Sequence, residues 1–351
     1  MRRLTILFLL LFVSINCVAQ NFSQKVDEYM KSYDKNTKFM GSILLAKDGR
    51  TIFEKSYGMA NAEWKVSNTS ATRFNIGSLT KQFTGLAILM LADRGKLTLE
   101  DKVSRFYDRS PDAWNDVSIY NLLSHTSGIP NAEISDFPKG IAQHYSPEEL
   151  IEIFRNKPLD FPAGSKRKYS NSGYYLLGYI IEKVTGQKYA DFIQNNIFDP
   201  LSMRNSGYES NASLISYRAS GYGVDGDKLL NADYLDWSIP YSAGGLYSTA
   251  EDLLRWDQAL RTEKLLSKPW LDRLFDPDKS GYNYGWFIRD ENGRRRIYHE
   301  GGNPGFASYI ARYPDQKLVV IVLSNLEISP ASSIGNDLAS LYFGNESNNK
   351  K

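Results

Sequence analysis

Ser78-Leu79-Thr80-Lys81-Gln82-Phe83-Thr84-Gly85-Leu86-Ala87-Ile88-Leu89-Met90-Leu91 opens with a hydroxyl and an amine three residues apart and runs on into an apolar stretch. On a helix, residues i and i+3 share a face, one above the other. A serine hydroxyl is a poor nucleophile near neutral pH and needs a base within hydrogen-bond reach. A lysine amine is such a base once burial or a cationic neighbour lowers its pKa. The run over 83–91 is apolar nearly all round, which predicts a buried helix, with Gly95 marking its end. The chain holds three other Ser-x-x-Lys matches: Ser32/Lys35, Ser165/Lys168 and Ser347/Lys350. Chance alone gives about one or two in a chain of this size. The other three lie in a polar N-terminal segment, a basic loop and a polar tail. Only Ser78/Lys81 enters a run that can bury its lysine.

The chain has 351 residues and a globular composition. Residues 1–19 read as a secretory signal: Arg2 and Arg3, then an apolar run over 4–13 that is too short to span a bilayer. Cys17-Val18-Ala19 places cleavage after Ala19. Lipidation of Cys17, which would tether the protein to a membrane, is the less favoured alternative because Asn16 suits it poorly. The expectation is an exported protein, periplasmic or secreted. Removing 1–19 takes away two basic residues and no acidic one, leaving 40 of each. That balance speaks against a nucleic-acid binder, which would carry a basic face. Cys17 is the only cysteine, so the mature chain has no disulfide, no cysteine-based metal site and no cysteine nucleophile.

The pattern predicts a helix over 23–33, then a hairpin of 41–47 and 51–57 turning at Asp48-Gly49. Helices are expected over 78–94, 117–123, 147–155, 173–185, 189–197 and 250–260. Towards the C-terminus 283–290 and 295–299 form a second hairpin and 306–313 and 318–324 a third, before a closing helix over 330–342. The expected class is α+β: one antiparallel sheet built from N- and C-terminal segments, flanked by helices, with a mostly helical inserted domain. The expected division is 20–77 with 240–343 for the sheet domain, 78–239 for the helical domain and 344–351 for a flexible tail.

Two further stretches carry chemistry. Tyr169-Ser170-Asn171 precedes the helix over 173–185 and is the only Tyr-x-Asn among 23 tyrosines. A phenol can relay a proton, and a side-chain amide can hold a carbonyl and help orient a lysine. The bland alternative makes Asn171 the N-cap of the next helix. His299-Glu300-Gly301-Gly302 is expected to end a strand, its glycines letting a ligand approach the backbone. Elsewhere, His125 is expected to fix a helix end, His144 to be a surface residue, Lys166, Arg167 and Lys168 to form a solvated loop, and Arg294, Arg295 and Arg296 a solvated strand edge. No Gly-x-Ser-x-Gly elbow, His-Glu-x-x-His or phosphate-binding Gly-Lys-Ser/Thr loop is present.

The order Ser-x-x-Lys, Tyr-x-Asn and a third motif near a C-terminal strand resembles the serine β-lactamase and penicillin-binding-protein superfamily, in particular the class C β-lactamase, DD-peptidase and esterase branch. Leu122-Leu123-Ser124-His125-Thr126-Ser127-Gly128, Phe161-Pro162-Ala163-Gly164, Ser242-Ala243-Gly244-Gly245-Leu246 and Gly305-Phe306 are similar to stretches of that branch, and the similarity runs over about 25–343. The resemblance implies that Ser78 is acylated, that Tyr169 assists proton transfer and that Asn171 binds the carbonyl side of the substrate. It gives removal of the serine proton to Lys81 or to Tyr169 without choosing. It also implies an oxyanion hole made by the backbone N–H groups of Ser78 and Gly302, with Gly301 beside them, and no metal or organic cofactor.

His299 stands where many members carry the lysine of Lys-Thr-Gly. A histidine is only partly charged near neutral pH, so attraction for a carboxylate-bearing antibiotic is expected to be weak. Members with His-x-Gly are typically esterases, D-amino-acid peptidases or amidases. The expected function is an exported serine hydrolase acting through an acyl-enzyme on a small molecule or peptide with an ester or amide bond. A non-catalytic module sensing cell-wall fragments and a true β-lactamase are the alternatives.

Overall fold

The computed structural model describes residues 22–33, 38–276, 281–291 and 293–348. The signal stretch 1–19, with Cys17, lies outside them. The strongest β signals fall in two distant places, and the fold joins them. Gly41–Lys47 and Arg50–Tyr57 form the first hairpin, with Gly49 at φ +75° in its turn. Gly41–Lys47 then pairs with Leu318–Ser324 from the far end of the chain, Gly41 opposite Ser324 and Lys47 opposite Leu318. The result is one seven-stranded antiparallel sheet, in spatial order Tyr282–Asn283, Trp286–Glu291, Arg294–Asn303, Phe306–Tyr313, Leu318–Ser324, Gly41–Lys47, Arg50–Tyr57.

Both faces of the central strands are buried, which is why they read as continuous apolar runs. Ile43, Leu45, Val320 and Val322 point to one face, where the helix over 22–33 contributes Phe22, Val26 and Met30 and the closing helix contributes Ile334 and Leu338. Leu44, Ile321 and Leu323 alternate to the other face. There they join a core that runs without a break through Leu79, Phe83, Trp114, Leu176 and Trp256. The middle of the chain lies on that second face. Its main helices are Thr80–Asp93, Pro147–Arg155, Asn171–Thr185 and Ala250–Ala259, and none in the described residues is long and apolar enough to cross a membrane.

Local signals placed several of these helices closely. Ser146 caps Pro147–Arg155 in a capping box with Glu149, Thr249 caps Ala250–Ala259, and Gly186 closes Asn171–Thr185 at φ +69°. Other expectations change. The helix expected over 189–197 is α only over Tyr189–Ile193 and then widens into a π-turn, Gln194–Phe198. A hairpin, Tyr222–Asp225 with Lys228–Asn231, turns at Gly226 inside the region expected to be helices and loops. A small sheet joins Phe74–Asn75, Leu246–Ser248 and Gly207–Tyr208. The strand expected to stop at His299 continues through the glycines as Arg294–Asn303, and the closing helix continues as Ala331–Asn348, into the stretch expected as tail.

Arg296 corrects another expectation. It is buried, and it reaches Glu291, Tyr309 and Asn336 instead of solvent. A buried cluster also ties the helix Ala250–Ala259 to the sheet. Arg312 Nε donates to Asp257 Oδ1 at 2.6 Å, and Arg261 donates to Oδ2 at 2.9 and 3.1 Å. Asp257 and Arg312 are both almost fully buried. Removing one partner of such a pair leaves a charge without compensation, a loss of about 3–5 kcal/mol. Asp257→Ala is therefore expected to lower unfolding stability by that order in a denaturant titration, whereas Lys268→Ala, half of an exposed pair with Asp272, is expected to change it little.

Candidate active site

The site grows from a tight turn. Gly77 has φ +49° and opens a short 3-10 turn, Gly77–Leu79, that runs into Thr80–Asp93. Ser78 stays half-buried at the surface of this turn, while Lys81, one turn further on, enters the protein and is fully buried. Lys81 Nζ lies 3.0 Å from Ser78 Oγ and 2.8 Å from the carbonyl oxygen of Ala243, on the short helix Tyr241–Gly244. Burial is what holds this amine well below its ordinary pKa of 10.5. A neutral amine can donate one N–H to Ala243 and accept the Ser78 O–H on its lone pair.

Tyr169 comes from a separate segment. Its phenol faces the Ser78 side chain closely enough for the two to interact, and Lys81 Nζ sits 4.9 Å from its ring centroid. Burial pushes the phenol well above its ordinary 10, and the neighbouring Ser78 side chain only partly opposes this. It therefore rests as the protonated phenol. The next helix is capped by Ser170, whose Oγ accepts from the Gly173 N–H, and not by Asn171. Asn171 is the first helical residue; its backbone N–H donates to Asn131 Oδ1 at 2.6 Å. Among the described residues its amide has no hydrogen-bond partner, so it does not orient Lys81. The Ala243 carbonyl takes that place.

His299, Gly301 and Gly302 lie on Arg294–Asn303, opposite Ile310, Ser308 and Ala307. Gly301 on this strand and Gly77 in the serine turn are required by the close approach of the two segments. A Cβ on Gly301 would sit 2.2 Å from the Ile76 carbonyl oxygen, and one on Gly77 would sit 2.5 Å from the Gly302 nitrogen. The backbones of the two segments thus touch next to Ser78. The partly charged histidine expected at 299 is a neutral one. Burial lowers its pKa to about 3, and a proton on the nearby Lys81 acts in the same direction. Its Nδ1–H donates to the Glu300 carbonyl at 2.5 Å, leaving Nε2 facing the Tyr282 hydroxyl at 3.3 Å. Glu300 itself is exposed. Lys168 pairs with Asp160 in an exposed loop, and His144 is exposed beside Asp236, as their sequence context suggests.

Several residues that hold this arrangement escaped the sequence reading. Asn75 Oδ1 accepts from the Gly77 N–H at 2.9 Å and from Asn303 Nδ2 at 2.7 Å; Asn303 Nδ2 also reaches the Gly244 carbonyl at 3.0 Å. Two side-chain amides therefore join the serine turn, the glycine strand and the segment carrying Ala243. The only local hint was a polar residue between Phe74 and Ile76. Among the described residues no group of three His, Cys, Asp or Glu side chains is placed to hold a metal ion.

The chain matches the Beta-lactamase family model over residues 22–342. It is 31% identical over 330 residues to penicillin-binding protein 4* of Bacillus subtilis, covering 88% of this chain and 73% of the relative. The crystal structure of a penicillin-binding protein from Bacillus halodurans superposes with a TM-score of 0.81 at 29% identity, over 90% of this chain and 98% of that one. The D-amino acid amidase of Ochrobactrum anthropi shares the fold, with a TM-score of 0.80 at 22% identity over 96% of this chain and all of the amidase chain. A sheet closed by both ends of the chain, a buried amine beside a serine and a match over nearly the whole described length lead to one assignment: the chain belongs to the beta-lactamase family.

Proposed function

We propose that the protein is a serine hydrolase that cleaves an ester or amide through an acyl-enzyme on Ser78. The observation that carries the reading is the fully buried Lys81 amine 3.0 Å from the Ser78 hydroxyl. Lys81 is the base in the free enzyme, because burial favours its neutral form and favours the protonated form of Tyr169. The Ser78 proton passes to Lys81 Nζ as Oγ bonds to the substrate carbonyl carbon. The oxyanion is held by the N–H groups of Ser78 and Gly302. As the carbonyl carbon parts from the leaving group, Tyr169 gives that group its proton and regains one from the Lys81 ammonium. Water then cleaves the acyl ester by the reverse traffic, and Ser78 is restored. Asn171, with its amide free, binds the carbonyl side of the substrate.

The neutral His299 supports a substrate without an essential carboxylate at this position, an ester or a D-amino-acid or peptidoglycan-type amide, over a β-lactam antibiotic. The signal-like stretch 1–19 supports action outside the cytoplasm, in the periplasm or as a secreted protein.

A fluorophosphonate is expected to add its mass to Ser78, read by intact and peptide mass spectrometry. Ser78→Ala is expected to lose both the label and at least about 10³-fold in turnover across a panel of p-nitrophenyl esters, D-amino-acid anilides and nitrocefin. Turnover persisting in that variant overturns the reading. The pH profile has a definite sign. Activity needs neutral Lys81, so kcat/KM is expected to be high above the lowered lysine pKa and to fall as pH drops through it. His299 is neutral down to about pH 3 and is expected to add no inflection in the range of about 5–8 where a histidine ordinarily titrates.

A further inference from the structure

His125 is buried, has φ +60° and lies just past the end of the short helix Ile119–Leu123. The left-handed backbone is unusual for a residue with a ring. It lets one residue reach both sides of Tyr169. The His125 carbonyl accepts from the Lys168 N–H at 3.0 Å, and its Nδ1 accepts from the Ser170 N–H at 3.2 Å. Its ring lies against that of Tyr169, with centroids 4.3 Å apart, and is backed by Tyr282 at 4.4 Å and Tyr174 at 5.2 Å.

The residues before and after Tyr169 are thus both held by His125, and the phenol ring rests on the ring of the same histidine. Because Nδ1 accepts from a backbone N–H, the ring proton sits on Nε2, which is buried and has no hydrogen-bond partner among the described residues. A buried donor without a partner is destabilising. It is tolerated here together with a left-handed backbone at the same residue, and strain of this kind concentrates where geometry serves a site. A glycine at this helix end would accept the left-handed backbone without strain but would offer no side-chain acceptor to the Ser170 N–H.

We propose that His125 is a positioning residue for the reaction: it clamps the backbone on both sides of Tyr169 and so sets where the phenol hydroxyl meets Ser78. The inference rests on the reading of Tyr169 as the proton relay. A misplacement of a reacting group by about 1 Å lowers rates by roughly 10²-fold. The residue differs from Ser78, Lys81 and Tyr169 in touching no reacting atom.

The test uses the full chain and hydrolysis of p-nitrophenyl acetate, with folding checked by thermal melting. His125→Phe keeps a ring but deletes the Nδ1 acceptor, and it is expected to lower kcat by about 10–100-fold with KM within about threefold. His125→Asn places an oxygen near the Nδ1 position and accepts a left-handed backbone; it is expected to recover most of kcat. The double variant His125→Phe/Tyr169→Phe is expected to be no slower than Tyr169→Phe alone, because both changes remove one function. Losses that multiply in the double variant, or a His125→Phe variant with native kcat, overturn the proposal while a slow Tyr169→Phe keeps the relay reading intact. A Tyr169→Phe variant with native kcat overturns both. Should His125→Phe fail to fold, nitrogen NMR of the wild-type ring decides: a proton on Nδ1 excludes the bond from Ser170 and overturns the proposal.

Discussion

The arrangement depends on burying one amine with no carboxylate beside it among the described residues. Lys81 has the Ser78 hydroxyl, the Ala243 carbonyl and two tyrosine faces for company. An ammonium in such a place loses its hydration and gains no counter-charge, so the neutral form prevails. The helix around it is shaped to pack closely on all sides. A Cβ on Gly85 would meet the Tyr284 carbonyl oxygen at 2.3 Å, and one on Gly285 would meet the Lys81 carbonyl oxygen at 2.5 Å. The turn at 284–285 therefore presses on the helix next to its lysine. Thr84 Oγ1 lies 2.6 Å from the Ser242 carbonyl oxygen and thereby locks the segment that presents Ala243. The chemistry and the core packing are here the same set of contacts.

The site is also a seam between distant parts of the chain. Ser78 follows the small sheet, Tyr169 lies before a helix some ninety residues on, and Gly302 belongs to the large sheet. Hydrophobic burial brings these regions together but cannot set atoms to a few tenths of an ångström. That is done by contacts that tolerate no side chain, Gly77 on Gly302 and Gly301 on Ile76, and by the paired amides of Asn75 and Asn303. Both kinds of contact are short-range, so each fixes distance as well as adjacency.

How much of this the sequence disclosed follows from the range of each interaction. The Asp48-Gly49 hairpin and the helices over 147–155 and 173–185 are decided within a few residues, and they were legible. The Ser78/Lys81 pair was legible for the same reason, since one helical turn supplies its geometry. Arg296 looked like a solvated edge because nothing local reveals that Asn336 of the closing helix lies above it. Ala243 was invisible as a partner because its contribution is a backbone carbonyl, which every residue has. Asn171 looked like a cap because Ser170 and Asn171 are equally good caps in sequence, and only the surroundings select between them. The hairpin at Gly226 had its own signal, Asp225-Gly226, but short flanking strands hid it.

His299 shows how a single exchange alters the electrostatics of the whole pocket. In the proposed reaction Lys81 must be neutral at rest and yet accept a proton as Ser78 attacks. A fixed cation at position 299 would oppose that transfer by like-charge repulsion across a dry interior, where such interactions are strong. The neutral imidazole removes this opposition, and its Nδ1–H is occupied by the Glu300 carbonyl. The transient ammonium is met instead by the faces of Tyr169 at 4.9 Å and Tyr174 at 5.5 Å, an attraction worth about 2 kcal/mol where water is excluded. Those rings stay uncharged because burial raises both phenols. The interior around Lys81 thus stabilises a positive charge when the reaction creates one.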